Sequence, residues 1–161
     1  MPGLTDQHYA ALRVILQRTQ PYPDLVWALT GSTSFALQGM DVEPHDIDIM
    51  TDEAGACLLG DLLAPWCVRP VAQSQASYIR SHLGTFLIEG IEVEVMGGSR
   101  RLGLDGTWGE PWDLKPRRYF LTARGLVLPV IHLRHEVQAY QELRRPDRAR
   151  QIEQFLWNGS E

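Results

Sequence analysis

The chain has 161 residues, of which 44% are hydrophobic and 22% charged, the proportions of an ordinary soluble globular protein with room for a substantial core. A formal net charge of −5 argues against a dedicated nucleic-acid binder, although a local basic patch could still hold an acidic ligand. The first ten residues lack a basic-then-apolar signal layout and no apolar run is long enough to cross a bilayer, so the expectation is a soluble cytoplasmic protein with no membrane partner.

Thr5 is placed to cap a first helix, and Tyr9, Leu12, Val14, Ile15 and Leu16 repeat at helical spacing to about Gln20. "PYPD" at 21–24 breaks the chain, and "LVWALTG" reads as a short buried strand ending in glycine. In "STSFALQGM" Ser32 is positioned to cap a short helix that stops near Gly39. "HDIDIM" alternates with the period of a strand, and "TDEAGACLLGDLLA" has helical character with Thr51 or Asp52 at its start. Cys57 and Cys67 lie in different apolar segments without metal spacing, and are expected to be reduced and buried.

Beyond Pro70, "SYIRSHLGTFLIEGIEVEVMGG" contains β-rich stretches with breaks at Gly84 and Gly90, suggesting successive antiparallel strands. Residues 97–117, rich in Gly, Pro and Trp, read as a long loop. "RYFLTARGLVLPV" suggests a hairpin around Gly125, and two helices at 131–144 and 147–157 flank Pro146. The order of elements predicts one α+β domain spanning 1–161, a mixed sheet with packed helices that ends in two C-terminal helices.

Side chains at i and i+2 of a strand share a face about 6.6–6.8 Å apart. Asp46 and Asp48 therefore face one spot while Ile47 and Ile49 face the core. Two neighbouring carboxylates repel unless a cation sits between them, and magnesium suits a few carboxylates plus phosphate oxygens. The preceding Gly31–Ser32 turn complements this, since a glycine admits a phosphate to the backbone and helix N–H groups attract an anion. A third acid is expected on a later strand. Glu92 and Glu94 share one face of "IEVEVMGG", and register decides between them.

These residues resemble the nucleotidyltransferase fold of the DNA polymerase β superfamily: Gly31-Ser32, a short helix, Asp46-Ile47-Asp48, then an acid on a later strand, Glu94 by its flanking valines. The resemblance covers residues 25–96; small members include aminoglycoside- and lincosamide-modifying enzymes and minimal toxin–antitoxin nucleotidyltransferases. It implies transfer of a nucleoside monophosphate from an NTP such as ATP to an unidentified acceptor, with release of pyrophosphate. Asp46 and Asp48 would hold two Mg²⁺ ions, or Mn²⁺ in their place, about 3.5–4 Å apart. Glu94, with Glu92 as the alternative, would complete a metal shell and help deprotonate the acceptor, while Gly31 and Ser32 would grip the triphosphate. The rival reading is a catalytically inactive relative that binds a nucleotide or a protein partner, and the short chain admits a homodimer that completes the acceptor pocket.

Other signals carry less. Met50 and Thr51 spoil "DIDIMTDE" as a calcium loop, and no phosphate-loop motif G-x-x-x-x-G-K-[ST] occurs. His132 and His135 lack a third metal ligand and read as a helix-end pair, whereas His45 is expected at the mouth of the acidic site. Arg80 and His82 alternate on a strand before the glutamates and are expected to contact the nucleotide. Lys115, Arg117 and Arg118 are weaker phosphate candidates, and the arginines of "RRPDRAR" read as a solvated helix face.

Overall fold

A computed structural model describes residues 3–159. The first helix, α1 (Asp6–Thr19), starts where Thr5 supplies its hydroxyl to the His8 N–H at 3.3 Å while the His8 ring reaches back to the Thr5 N–H. Ala11, Leu12 and Ile15 form its buried stripe. After the break come β1 (Trp27–Thr30), α2 (Gly31–Leu37), β2 (Ile47–Thr51) and α3 (Glu53–Leu62). Asp52 caps α3 by accepting the Gly55 N–H at 2.6 Å.

Three long strands follow, β3 (Cys67–Ala76), β4 (Ile79–Ile88) and β5 (Ile91–Arg101), and then the hairpin β6 (Arg118–Ala123) and β7 (Leu126–Ile131). The expected hairpin turn is present, with Arg124 and Gly125 both at positive φ. Two closing helices, α4 (Leu133–Glu142) and α5 (Pro146–Gly159), match expectation, with Pro146 as the first residue of α5, where its missing N–H costs nothing.

All seven strands join one sheet in the order β3-β4-β5-β2-β1-β7-β6. The sheet is mixed: β2 runs parallel to β5, β1 runs parallel to β7, and the other neighbours are antiparallel. Its main core sets Ile47, Ile49, Val93, Val95 and Phe86, all fully buried, against Leu12 and Ile15 of α1 and Leu59 of α3. Burying each such side chain is worth about 1.5–3 kcal/mol. A separate cluster of Phe35, Met40, Leu133 and Ile152 seats α4 and α5 beside α2.

Several local expectations are corrected. The helix α2 begins at Gly31, two residues early, because Thr30 occupies the cap position and Ser32 lies inside the first turn. Gly84 does not break a strand; it sits within β4, where an added Cβ would lie 2.7 Å from Val71 Cγ2 and 3.1 Å from the Val71 backbone. The glycine there serves close approach. Strand β5 runs to Arg101, well into the stretch expected as loop. Cys57 and Cys67 are free thiols as expected, yet both are exposed.

At one edge, β3 meets β4 with register shifts between Cys67 and Arg69 and between Arg69 and Ala72, around Pro70. At the other edge, β6 pairs with β7 in unbroken register from Arg118 to Ala123. Among the described residues no helix is long and apolar enough to cross a membrane.

Candidate active site

Register answers which glutamate meets the aspartates. Parallel pairing sets Ile47 against Val93, Asp48 against Glu94 and Ile49 against Val95. The apolar partners are fully buried on one face, so Asp48 and Glu94 stand side by side on the other, on strands about 4.8 Å apart. Asp46 is exposed and lies just before β2; Glu92 is likewise exposed, at the start of β5.

The four acids share one electrostatic environment. Burial, then the charges of Glu94, Asp46 and Glu92, push the Asp48 carboxyl up from 3.8 to about 7. Glu94 is raised for the same reasons, burial first and then Glu92 and Asp46. Among the described residues, no group of three or more His, Cys, Asp or Glu side chains is gathered so that it could hold a metal ion. Like charges without a counterion keep such side chains apart. The donor set is nevertheless all oxygen, and its destabilised negative charge is what a hard divalent cation relieves.

The turn between β1 and α2 brings backbone to these acids. Gly31 has φ +70°, and an added Cβ would fall 2.5 Å from Asp48 Oδ2. Both the left-handed conformation and the close approach require glycine. One turn on, Thr33 Oγ1 donates to the Asp46 carbonyl at 2.5 Å and ties α2 to the lead-in of β2. Ser32 is half-buried beside Gly31.

Two residues outside the expected set complete the surroundings. Glu136 of α4 is 2% exposed and accepts a hydrogen bond from Thr30 Oγ1 at 2.5 Å. Burial raises its carboxyl to about 7, against the opposing pull of Thr30, Arg101 and the Gly31 N–H. An acid on the apolar stripe between Leu133 and Tyr140 was the available signal for it. Arg101 at the end of β5 is 7% exposed, with its guanidinium 4.4 Å above the Trp112 ring. Asp48, Glu94, Gly31, Arg101, Glu136 and Tyr140 all line one cavity of about 120 Å³.

Arg80 and His82 do not join this group. His82 pairs across β4 and β5 with Gly97, on the face where an added Gly97 Cβ would be 2.4 Å from Ala56 of α3. Its Nε2 lies 3.4 Å from Glu53 Oε1 of the same helix. Arg80 donates to Gln75 Oε1 and stacks over Trp108, and both residues line a separate cleft of about 820 Å³ beside α3. The structure thus does not bring these two side chains to the acids, because the sheet itself stands between them.

His45 neighbours His8 and Asp46 at the start of α1, and His132 caps α4, in keeping with a helix-end role. Arg117 stacks on Trp112, and Arg118 donates to the Trp27 carbonyl at 2.8 Å, so both have structural partners. In the "RRPDRAR" segment Arg150 pairs with Asp147 as expected, whereas Arg145 and Arg148 lie over Tyr140 and Phe35.

Comparison with known proteins fits this geometry. A family model described as aminoglycoside-2″-adenylyltransferase matches residues 11–153. A crystal structure from Thermotoga maritima, of a protein whose nucleotidyltransferase assignment is itself provisional, superposes with a TM-score of 0.83 at 39% identity, covering 97% of each chain. The structure of ANT(2″)-Ia in complex with adenylyl-2″-tobramycin superposes with a TM-score of 0.54 at 11% identity, covering 90% of this chain and 87% of the other, a likeness of fold. The search of curated proteins gave no match. With a family match that runs through the Gly31 turn, both aspartates and the glutamate strand to the last helix, this chain belongs to the aminoglycoside-2″-adenylyltransferase family and carries a nucleotidyltransferase fold.

Proposed function

We propose that the chain transfers a nucleoside monophosphate, AMP from ATP in the first instance, to a hydroxyl of a small acceptor and releases pyrophosphate. The observation that carries this reading is the pairing of Asp48 with Glu94 beside the Gly31 turn, which sets destabilised carboxylates next to a backbone that admits phosphate. Asp46, Asp48 and Glu94 would hold Mg²⁺, or Mn²⁺, with Glu92 at the rim. When bound, the metal neutralises charge on the attacking and leaving oxygens. The Gly31–Ser32 corner orients the triphosphate through backbone N–H groups and the Ser32 hydroxyl. Glu94, whose proton affinity is raised by burial, takes the proton from the acceptor hydroxyl. The family description and the surplus of acids at the site support an acceptor that carries hydroxyls and amines.

Incubation with labelled NTPs, Mg²⁺ and a panel of hydroxyl-bearing acceptors, aminoglycosides included, tests this reading. Acceptor-dependent pyrophosphate release is expected, lost in an Asp46→Asn/Asp48→Asn variant that still folds. Absence of transfer across the panel counts against catalysis. A second reading, a non-catalytic relative that binds a nucleotide or a partner protein as toxin–antitoxin members do, is favoured by one observation: the acids are not gathered into a ready metal cage. Titration of ATP separates the two, since Mg²⁺ tightens binding at an intact catalytic site and leaves it unchanged at a degenerate one.

A further inference from the structure

We propose that Arg101 is a nucleotide-contacting residue whose guanidinium takes a phosphate oxygen of the triphosphate tail, an assignment that rests on the nucleotidyl-transfer reading. It starts from how Arg101 reaches the site. Along β5, residues 91, 93 and 95 face the main core, and simple alternation would send Arg101 the same way. The strand has one extra residue, however: Gly97 pairs with His82, whereas Arg100 rather than Ser99 pairs with Arg80, and Gly98 between them has φ +61°. This bulge reverses the alternation and turns Arg101 onto the face of Glu94.

Once there, the guanidinium is held but not satisfied. Its flat face lies against Trp112, whose ring is also covered by Arg117 at 4.1 Å. The nearby carboxylate of Glu142 is 3.7 Å from Nε, too long for a hydrogen bond, and Nε is buried with no hydrogen-bond partner. Although Glu142 offsets its charge, a buried N–H donor without a hydrogen bond is costly and leaves room for a further acceptor.

The surroundings say what kind of partner. Among the described residues Arg101 is the one cation lining a cavity of about 120 Å³ whose other walls include Gly31, Asp48, Glu94 and Glu136. That volume is roughly four waters' worth, the scale of a phosphate group and far below a whole nucleotide. A phosphate held at the Gly31 corner, its charge shared with metal at Asp48 and Glu94, brings oxygens toward the unpaired N–H. A planar guanidinium fixed by stacking is suited to that recognition.

Calorimetric titration of the wild-type chain, Arg101→Gln and Arg101→Lys with ATP, pyrophosphate and AMP, each with Mg²⁺, tests the assignment. The glutamine variant should weaken ATP and pyrophosphate by about 10- to 100-fold while AMP, which lacks the tail, changes less than threefold. The lysine variant, which keeps charge but loses the flat stack, should fall between. Equal loss for ATP and AMP, or no loss for ATP, overturns the assignment and leaves nucleotidyl transfer standing. Failure of the wild-type chain to bind either ATP or pyrophosphate overturns both. Should the glutamine variant not fold by circular dichroism, the ATP-to-AMP ratio in the lysine variant decides by the same criterion.

Discussion

Asp48 makes the metal-free protein sensitive to pH in a direction opposite to most carboxylates. Its carboxyl rises from 3.8 to about 7, first through burial and then through Glu94, Asp46 and Glu92. The native state therefore binds the Asp48 proton more tightly than the unfolded chain does. The associated stability is fully present below pH 4 and is lost as pH climbs through about 7. Each tenfold difference in proton affinity is worth about 1.4 kcal/mol, so full ionisation of Asp48 costs the native state about 4 kcal/mol, shared in part with Glu94 because the two titrate together. Urea unfolding in chelator between pH 5 and 8.5 reads this directly. The wild-type chain should lose stability over that range, and Asp48→Asn should remove most of the loss and be the more stable of the two at pH 8. Adding Mg²⁺ should restore the wild-type chain and leave the asparagine variant unmoved. If Asp48→Asn is no more stable than wild type at pH 8 in chelator, the carboxylate is not electrostatically strained and the reasoning fails.

Three further outcomes are expected. Gly31→Ala places a Cβ 2.5 Å from Asp48 Oδ2 at φ +70°; it should cost about 1–2 kcal/mol from the backbone alone and depress pyrophosphate release, and wild-type values of both would refute it. Thr30→Val removes the donor to buried Glu136 and should destabilise by about 1–3 kcal/mol in urea, an effect that shrinks as pH falls through about 7 and Glu136 takes up its proton. Gly97→Ala sets a Cβ 2.4 Å from Ala56 and 2.5 Å from the Asp52 carbonyl; the overpacking should cost about 1–3 kcal/mol and lower the melting temperature without altering ATP affinity.

What could be read in advance was what depends on neighbours in sequence. The alternation of Asp46 and Asp48 with isoleucines, the Gly31 step before them and the later glutamate strand are local patterns, and the fold carries all three. The choice of Glu94 over Glu92 depends on the pairing of β2 with β5, which local pattern does not fix. Strand β3 escaped notice because its residues are largely exposed, so it shows no apolar alternation. Arg80 and His82 were misplaced for a related reason: period two tells which side chains share a face, but not which side of the sheet that face is. Arg101 was hidden by a single inserted residue, which reverses the period between Gly97 and Arg101.

The two rims of the sheet differ in what they offer a neighbouring molecule. Along β3 the hydrogen-bonding frame is interrupted by two slips and by Pro70, which has no N–H to give. The interruption is confined to its first half, since Ala72 to Ala76 pair with Leu83 to Ile79 without a slip. The β6 rim presents six residues in even succession, an uninterrupted frame of backbone donors and acceptors.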